Sequence, residues 1–194
     1  KGRKVGQVWI SNNLEPRQES QRVFDVLKGS EIITVQKNLI TQIGDVRLHV
    51  LWPEASNRSF EELPGEGSAI NNSSIALMAT TSDWSLFSAG DLEPPAQREL
   101  INLVGPVDVY KVSHHGSRYQ DEGLTRALSP QVALISVGAS NPYGHPAAET
   151  IESLTRLGTQ VFRTDVDGAV SISASAHQLH LRKSNGRLKL FYWS

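Results

Sequence analysis

The chain has 194 residues, 39% of them hydrophobic and 20% charged, with a formal net charge of −1 and no cysteine. That is an ordinary globular composition, long enough for a sizeable core. It excludes disulfides, thiolate metal sites and cysteine nucleophiles, contains no run of ~18–20 apolar residues of the kind a membrane span needs, and lacks the basic excess of a duplex-binding domain.

The opening Lys1-Gly2-Arg3-Lys4 is not an initiator methionine and leads into no apolar signal region, so the chain reads as a piece of a longer protein. Val5–Ile10 is a predicted strand closed by Ser11-Asn12-Asn13. A helix is expected over Pro16–Leu27: proline suits a first turn, Val23, Phe24 and Leu27 fall at helical spacing, and Gly29 closes the run. Ile32–Gln36, Leu39–Gln42 and Val46–Leu51 are short and β-rich, with Gly44-Asp45 as a turn, and together read as a small meander. Pro53–Ser73 has no period, holds the acidic pair Glu61-Glu62, and reads as a long loop near a binding face.

Ser74–Thr80 and Trp84–Ser88 form a predicted hairpin. A helix over Pro94–Leu103, a strand over Val107–Val112, a short helix over Leu124–Leu128, a strand over Val132–Val137, a helix over Ala147–Leu157 and a strand over Gln160–Arg163 follow. This alternation predicts α/β layering. The end does not alternate. Ala169–Ala174, Gln178–Arg182 and Arg187–Trp193 read as three strands, the last two joined by a turn at Ser184-Asn185-Gly186. Arg182, Lys183, Arg187 and Lys189 read as the solvated face of that terminal hairpin. No repeat or linker appears, so one domain is expected.

Three polar clusters each follow an apolar strand: Ser88-Ala89-Gly90-Asp91, Ser113-His114-His115-Gly116-Ser117 and Tyr143-Gly144-His145-Pro146. Strand ends are where layered α/β folds place their sites. Gly90 lets the chain turn and expose Asp91, either as a metal ligand or as a cap on the helix near Pro94. Neighbouring side chains point opposite ways in extended chain, so one of His114 and His115 is expected to face a metal and the other a substrate or a supporting group. His145 is either a loop histidine or part of the same site. His49, His177 and His180 have no polar companions and no assigned role. Without cysteine, any metal is held by His, Asp or Glu, which suits zinc, manganese or iron. One aspartate with two or three histidines is half of a two-metal hydrolase inventory.

The order Asn71-Asn72-Ser73-Ser74, Gly90-Asp91, His114-His115-Gly116-Ser117, Tyr143-Gly144-His145-Pro146, then Arg163-Thr164-Asp165 with Asp167-Gly168, resembles the C-terminal metallo-β-lactamase-like domain of the ComEC DNA-internalisation competence proteins. The match runs from about Asn71 to Val170, and the stretch before it suits the family in order and length. The resemblance implies an αββα sandwich, a centre of two divalent ions (zinc or manganese), and a nuclease-like hydrolase. It also implies attachment to a channel in the bacterial inner membrane, on the periplasmic or outer side, where the domain degrades the DNA strand that is not transported. By the same resemblance Asp91 bridges the metals and His115 is a terminal ligand. His114 contacts phosphate or supports a ligand, and His145 contacts substrate at the rim. Asn72, Ser74 and Ser117 lie on the substrate side, Asn72 and Ser74 as its floor.

One departure matters. The superfamily's His-x-His/Asp-x-Asp-His run has no counterpart here, and no histidine precedes His49. The opening resembles the stretch just after that run, so an N-terminally truncated sandwich is expected. Such a chain is expected to bind divalent metal poorly, to lack hydrolase activity alone, and to cover an exposed sheet edge with a second copy or by rearrangement. The alternatives are a phosphorylcholine-esterase-like hydrolase of the same superfamily, and a non-catalytic DNA-binding or channel-gating module.

Overall fold

The structure, a computed structural model, describes residues 5–55, 67–175, 178–185 and 189–191. The chain begins with β1 (Gln7–Ile10), α1 (Arg17–Val26) and β2 (Glu31–Thr34), and β1 and β2 pair in parallel as a small sheet of their own. None of the residues of α1 is buried. The expected meander is corrected here. Asn38, in the left-handed region at φ 75°, turns the chain after β2, and its amide donates to Val50 O at 2.9 Å. Asparagine tolerates that conformation at low cost. The two remaining segments, β3 (Ile40–Ile43) and β4 (Val46–Trp52), therefore form a hairpin in a different sheet.

That sheet has seven strands in the order β3-β4-β5-β6-β7-β8-β9, continuing with β5 (Ala76–Thr80), β6 (Ser85–Ser88), β7 (Val109–Lys111), β8 (Val132–Ile135) and β9 (Gln160–Arg163). Pairing is antiparallel from β3 to β6 and parallel from β6 to β9. Each parallel connection carries a helix: α3 (Pro94–Leu100), α4 (Glu122–Leu128) and α5 (Ala148–Arg156). The continuous apolar run of β8 fits a strand covered on both faces. On one face Leu92, Ala96, Leu100, Leu124, Leu128 and Leu154 close over Phe87, Tyr110 and Ala133. On the other face Val109, Val132 and Phe162 meet Leu179 and Leu181.

Those two leucines belong to a second, antiparallel sheet of β10 (Val170–Ser175), β11 (Gln178–Lys183) and β12 (Lys189–Phe191). The layers are thus helix, sheet and sheet, the α/β arrangement of a metallo-β-lactamase-like sandwich. Among the described residues no helix joins the second core, and Ser171, Ser173 and Ser175 of β10 face outward, exposed.

The expected loop over Pro53–Ser73 contains a short helix, α2 (Ser68–Asn71), close to the site described next. Its acidic pair Glu61-Glu62 lies outside the described residues, as do His177, Gly186 and Arg187. The parallel pairing sets the functional geometry. The C-terminal ends of β6, β7, β8 and β9 leave the sheet on one side, so the segments that follow them meet there.

Candidate active site

After β6 the chain turns at Gly90, which has φ +55° and whose added Cβ would sit 2.7 Å from Ser74 Cβ. Only glycine allows that approach. It brings the Asp91 amide to the Ser74 hydroxyl oxygen, which accepts its hydrogen bond at 3.0 Å. Asp91 does not cap α3: the residue at the cap is Glu93, and no side chain closes that helix end. The Asp91 carboxylate instead faces a cleft, partly exposed.

After β7 the chain does not stay extended, which corrects the expectation for the two histidines. His114 and His115 have φ 46° and 53°, inside a tight turn over Ser113–Gly116. Each non-glycine residue in that region costs roughly 1–2 kcal/mol, a strain that concentrates at functional sites. The turn is pinned by the His114 amide donating to Gly90 O at 3.0 Å. Both rings therefore lie on the cleft side, 6.5 Å apart between centroids, rather than on opposite faces. Gly116, at φ +76°, allows the third segment to close in, because an added Cβ there would lie 2.7 Å from Pro146 Cβ.

His115 Nδ1 lies 2.7 Å from Ser136 O. A carbonyl oxygen can only accept, so Nδ1 carries the proton and Nε2 is left with a free lone pair. That Nε2 is 3.6 Å from Asp91 Oδ1, too long for a hydrogen bond. The separation is close to the ~3.4 Å edge that two ligands of one tetrahedral ion share when each bond is about 2.1 Å. His114 points deeper. Its Nδ1 is buried, forms no hydrogen bond, and stands 3.6 Å from Glu93 Oε1. His145 arrives from the segment after β8 and sets its ring edge-on to His114, 5.4 Å between centroids.

The cleft has a volume of about 510 Å³ and includes Asp91, His114, His115, Tyr143 and His145 in its lining, with Val137 and Thr164 in the wall. Val137 and Thr164 lock the ends of β8 and β9 together. The Val137 amide donates to Thr164 Oγ1, which donates back to Val137 O, both at 2.7 Å. Partial burial, helped by the proximity of His114, His115 and Arg118, holds the His145 imidazole below its ordinary pKa; Asp91 opposes the shift.

The four expected catalytic residues, Asp91, His114, His115 and His145, are thus brought to one cleft. None of the three expected substrate-side residues lines the cleft; each is tied up in hydrogen bonds behind it or buried. Ser74 holds the Asp91 amide. Asn72, buried, accepts from the Glu93 amide through Oδ1 at 3.0 Å and from the Trp52 indole through its carbonyl at 2.7 Å. Ser117, 1% exposed, accepts from the Tyr119 amide and, through its carbonyl, from Thr150 Oγ1.

Sequence reading missed Glu93 altogether. The residue is 3% exposed, takes hydrogen bonds from Ser68 Oγ (2.6 Å) and Asn71 Nδ2 (3.0 Å), and backs His114. Its signal was a carboxylate two residues past Gly-Asp and directly before Pro-Pro. A metal is only partly accommodated. Among the described residues no three His, Asp or Glu side chains are grouped to hold one, and Asp91 with His115 makes two donors where catalytic zinc sites take three protein ligands.

No protein-family model matches the chain. It is 34% identical over 159 residues to ComE operon protein 3 of Bacillus subtilis, covering 80% of this chain and 19% of that protein. It is also 29% identical to Recombination protein 2 of Haemophilus influenzae (64% of this chain, 16% of that protein) and 28% identical to competence protein ComA of Neisseria gonorrhoeae (63% and 18%). The chain belongs to the ComEC family. It spans less than a fifth of the length of these ComEC relatives.

Solved structures similar to it include zinc-bound PqqB from Methylobacterium extorquens, with a TM-score of 0.48 and 11% identity, covering 82% of this chain and 63% of that one. Another is Tm1679, a metal-dependent hydrolase of the β-lactamase superfamily, with a TM-score of 0.42 and 13% identity, covering 82% and 69%. Among the described residues of the ComEC-family chain, no helix is long and apolar enough to cross a membrane.

Proposed function

We propose that this chain is the hydrolase part of a ComEC-type DNA-uptake protein, and that in the intact protein it cleaves phosphodiester bonds of the strand that is not transported. The observation that carries the reading is the convergence of Asp91, His114, His115 and His145 on one cleft at the C-terminal ends of parallel strands. The named relatives support the link to competence.

In this reading single-stranded DNA enters by its phosphate backbone. The membrane channel of the same parent protein presents it, and the hydrolase part stands on the periplasmic or outer side of the inner membrane. The implied cofactor is a divalent metal, zinc or manganese, two ions in the whole protein, with Asp91 and His115 as donors from this chain. These two do not complete a site. His115, oriented by Ser136 O, keeps Nε2 free toward Asp91. His145, held neutral at ordinary pH, takes or returns a proton at the rim. His114, backed by Glu93, meets the phosphate. Asn72 and Ser74 fix the floor under them, and Ser117 is kept as a substrate-side residue. The edge strand β3, where Ile43 is 64% exposed, is where a second copy of the chain would pair.

The test is a gel assay of strand degradation by the full-length parent. The wild type should degrade labelled single-stranded DNA, and Asp91→Ala and His115→Ala should not, with folding unchanged by circular dichroism. Unchanged degradation in both variants would remove this cleft from the reaction.

A further inference from the structure

We propose that Tyr143 is a nucleobase-stacking subsite at the mouth of the cleft, taking the face of an unpaired base from a single-stranded nucleic acid whose phosphate lies among the histidines. The proposal rests on the nuclease reading above and narrows its substrate.

Tyr143 is 79% exposed, whereas Phe87, Tyr110, Phe162 and Trp52 are buried. An exposed aromatic ring alone is unremarkable on a protein surface. Its position sets this one apart, because Tyr143 lines the same cleft as Asp91, His114 and His115. Asn141 Oδ1 accepts the Tyr143 amide at 2.7 Å, which shapes the loop locally. The ring lies within 22° of parallel to His145, with 6.2 Å between centroids. His145 in turn stands edge-on to His114. The result is a short ladder of rings that runs from the buried end of the site to solvent and ends on an open tyrosine face. A base laid on that face continues the ladder while its phosphate reaches inward.

Two further features favour a base. Aromatic stacking accepts any base, because every base has a π-face, but only where pairing and neighbouring stacks have been opened. Among the described residues lining the cleft there is also no lysine or arginine to hold a phosphate backbone, so stacking has to contribute more of the affinity. A quaternary ammonium headgroup is disfavoured, since its recognition uses a cage of several aromatic rings. Among the described residues lining the cleft, Tyr143 is the only tyrosine, tryptophan or phenylalanine.

Fluorescence anisotropy on the full-length parent tests this, with a labelled single-stranded oligonucleotide carrying phosphorothioate linkages to slow cleavage and a matched abasic strand. Tyr143→Ala should bind the normal strand about tenfold more weakly, the order of one lost base–aromatic stack, and Tyr143→Phe should restore the affinity. The abasic strand should bind the wild type and Tyr143→Ala alike. Equal binding of the normal strand by the wild type and Tyr143→Ala overturns the proposal, and cleavage persisting in that case leaves the nuclease reading intact. Tyr143-dependent binding without cleavage has the opposite meaning: the subsite stands and the hydrolytic reading falls. Loss of activity on phosphorylcholine esters in Tyr143→Ala, with no binding of either strand by the wild type, overturns both.

Discussion

Glu93 Oε1 stands 3.6 Å from His114 Nδ1, with the carboxylate buried and the ring nitrogen without a hydrogen bond. The carboxylate gathers hydrogen bonds from Ser68 and Asn71, and its backbone amide is held by Asn72, so the stretch before β5 is fastened to the turn after β6 directly behind the histidine pair. Glu93→Ala removes an acceptor from two donors in a water-poor setting, and the expected loss of stability is about 3 kcal/mol. Glu93→Gln keeps one acceptor oxygen and should lose less. Urea unfolding of the two variants checks this; an alanine variant as stable as the wild type would show that the buried carboxylate is no fastening.

Asp91 is different in kind. Among the described residues its carboxylate accepts no hydrogen bond, while its amide is held by Ser74. Replacing it by alanine removes a metal-ligating group from the cleft and no hydrogen bond of the side chain among the described residues. Stability should stay within about 0.5 kcal/mol, as for substitutions away from packed features. Strand degradation by the full-length parent should disappear. Thermal melts beside the gel assay separate the two effects, and a large fall in melting temperature would assign Asp91 to the fold instead of the site.

The sequence made the large features legible because they rest on local pattern. The apolar runs at Trp84–Ser88 and Val132–Val137, the Pro-Pro start of α3 and the alternation of strand and helix all act over a few residues. The three polar strand ends were found for the same reason, and parallel pairing brings them together. What failed depends on distant partners. Nothing local says that β2 pairs with β1 and not with β3. The left-handed turn at His114 and His115 is held by Gly90 O, Ser136 O and the close pass of Pro146, all more than twenty residues away in sequence. Glu93 was hidden because burial of a carboxylate is set by what covers it, here Ser68 and Asn71 from a stretch with no period.

Gly116 is where that close pass is most exposed to test. Its φ is +76°, and an added Cβ would lie 2.7 Å from Pro146 Cβ and 3.3 Å from Pro146 Cα. The neighbour is a ring fused to the backbone, so it cannot swing away. Gly116→Ala should cost about 2–4 kcal/mol, combining overpacking with the left-handed penalty. It should also push His145 away from His114. Gly138, with open space around it, is the control, and Gly138→Ala should be nearly neutral. Equal melting temperatures for the two variants would refute the close-pass account.

Metal affinity follows from the donor count. Asp91 and His115 face one another at 3.6 Å, and among the described residues no third His, Asp or Glu joins them. Two donors leave most of an ion's coordination to water. Isothermal titration of this chain with zinc or manganese should show weak binding, above about ten micromolar, far from the tight binding of three- and four-ligand zinc sites. Submicromolar binding at two sites would overturn this.

His145 gives a prediction in pH. Partial burial disfavours its charged form first, and the neighbouring His114, His115 and Arg118 add to that, while Asp91 acts the other way. Its folded pKa therefore lies below the ordinary histidine value of about 6.5. The sign follows from proton binding. Between the lowered value and the ordinary one the unfolded chain holds a proton that the folded chain does not, so stability rises with pH through that window and falls as pH drops across it. Above the ordinary value both states are neutral and the effect is absent. Proton NMR should show the His145 ring titrating below 6.5. Arg118→Ala should raise that midpoint by removing a repelling charge, and Asp91→Asn should lower it by removing an attracting one. A His145 midpoint at or above 6.5 in the wild-type chain would mean that the ring is solvated and free of its neighbours, contrary to its contacts with His114 and Tyr143.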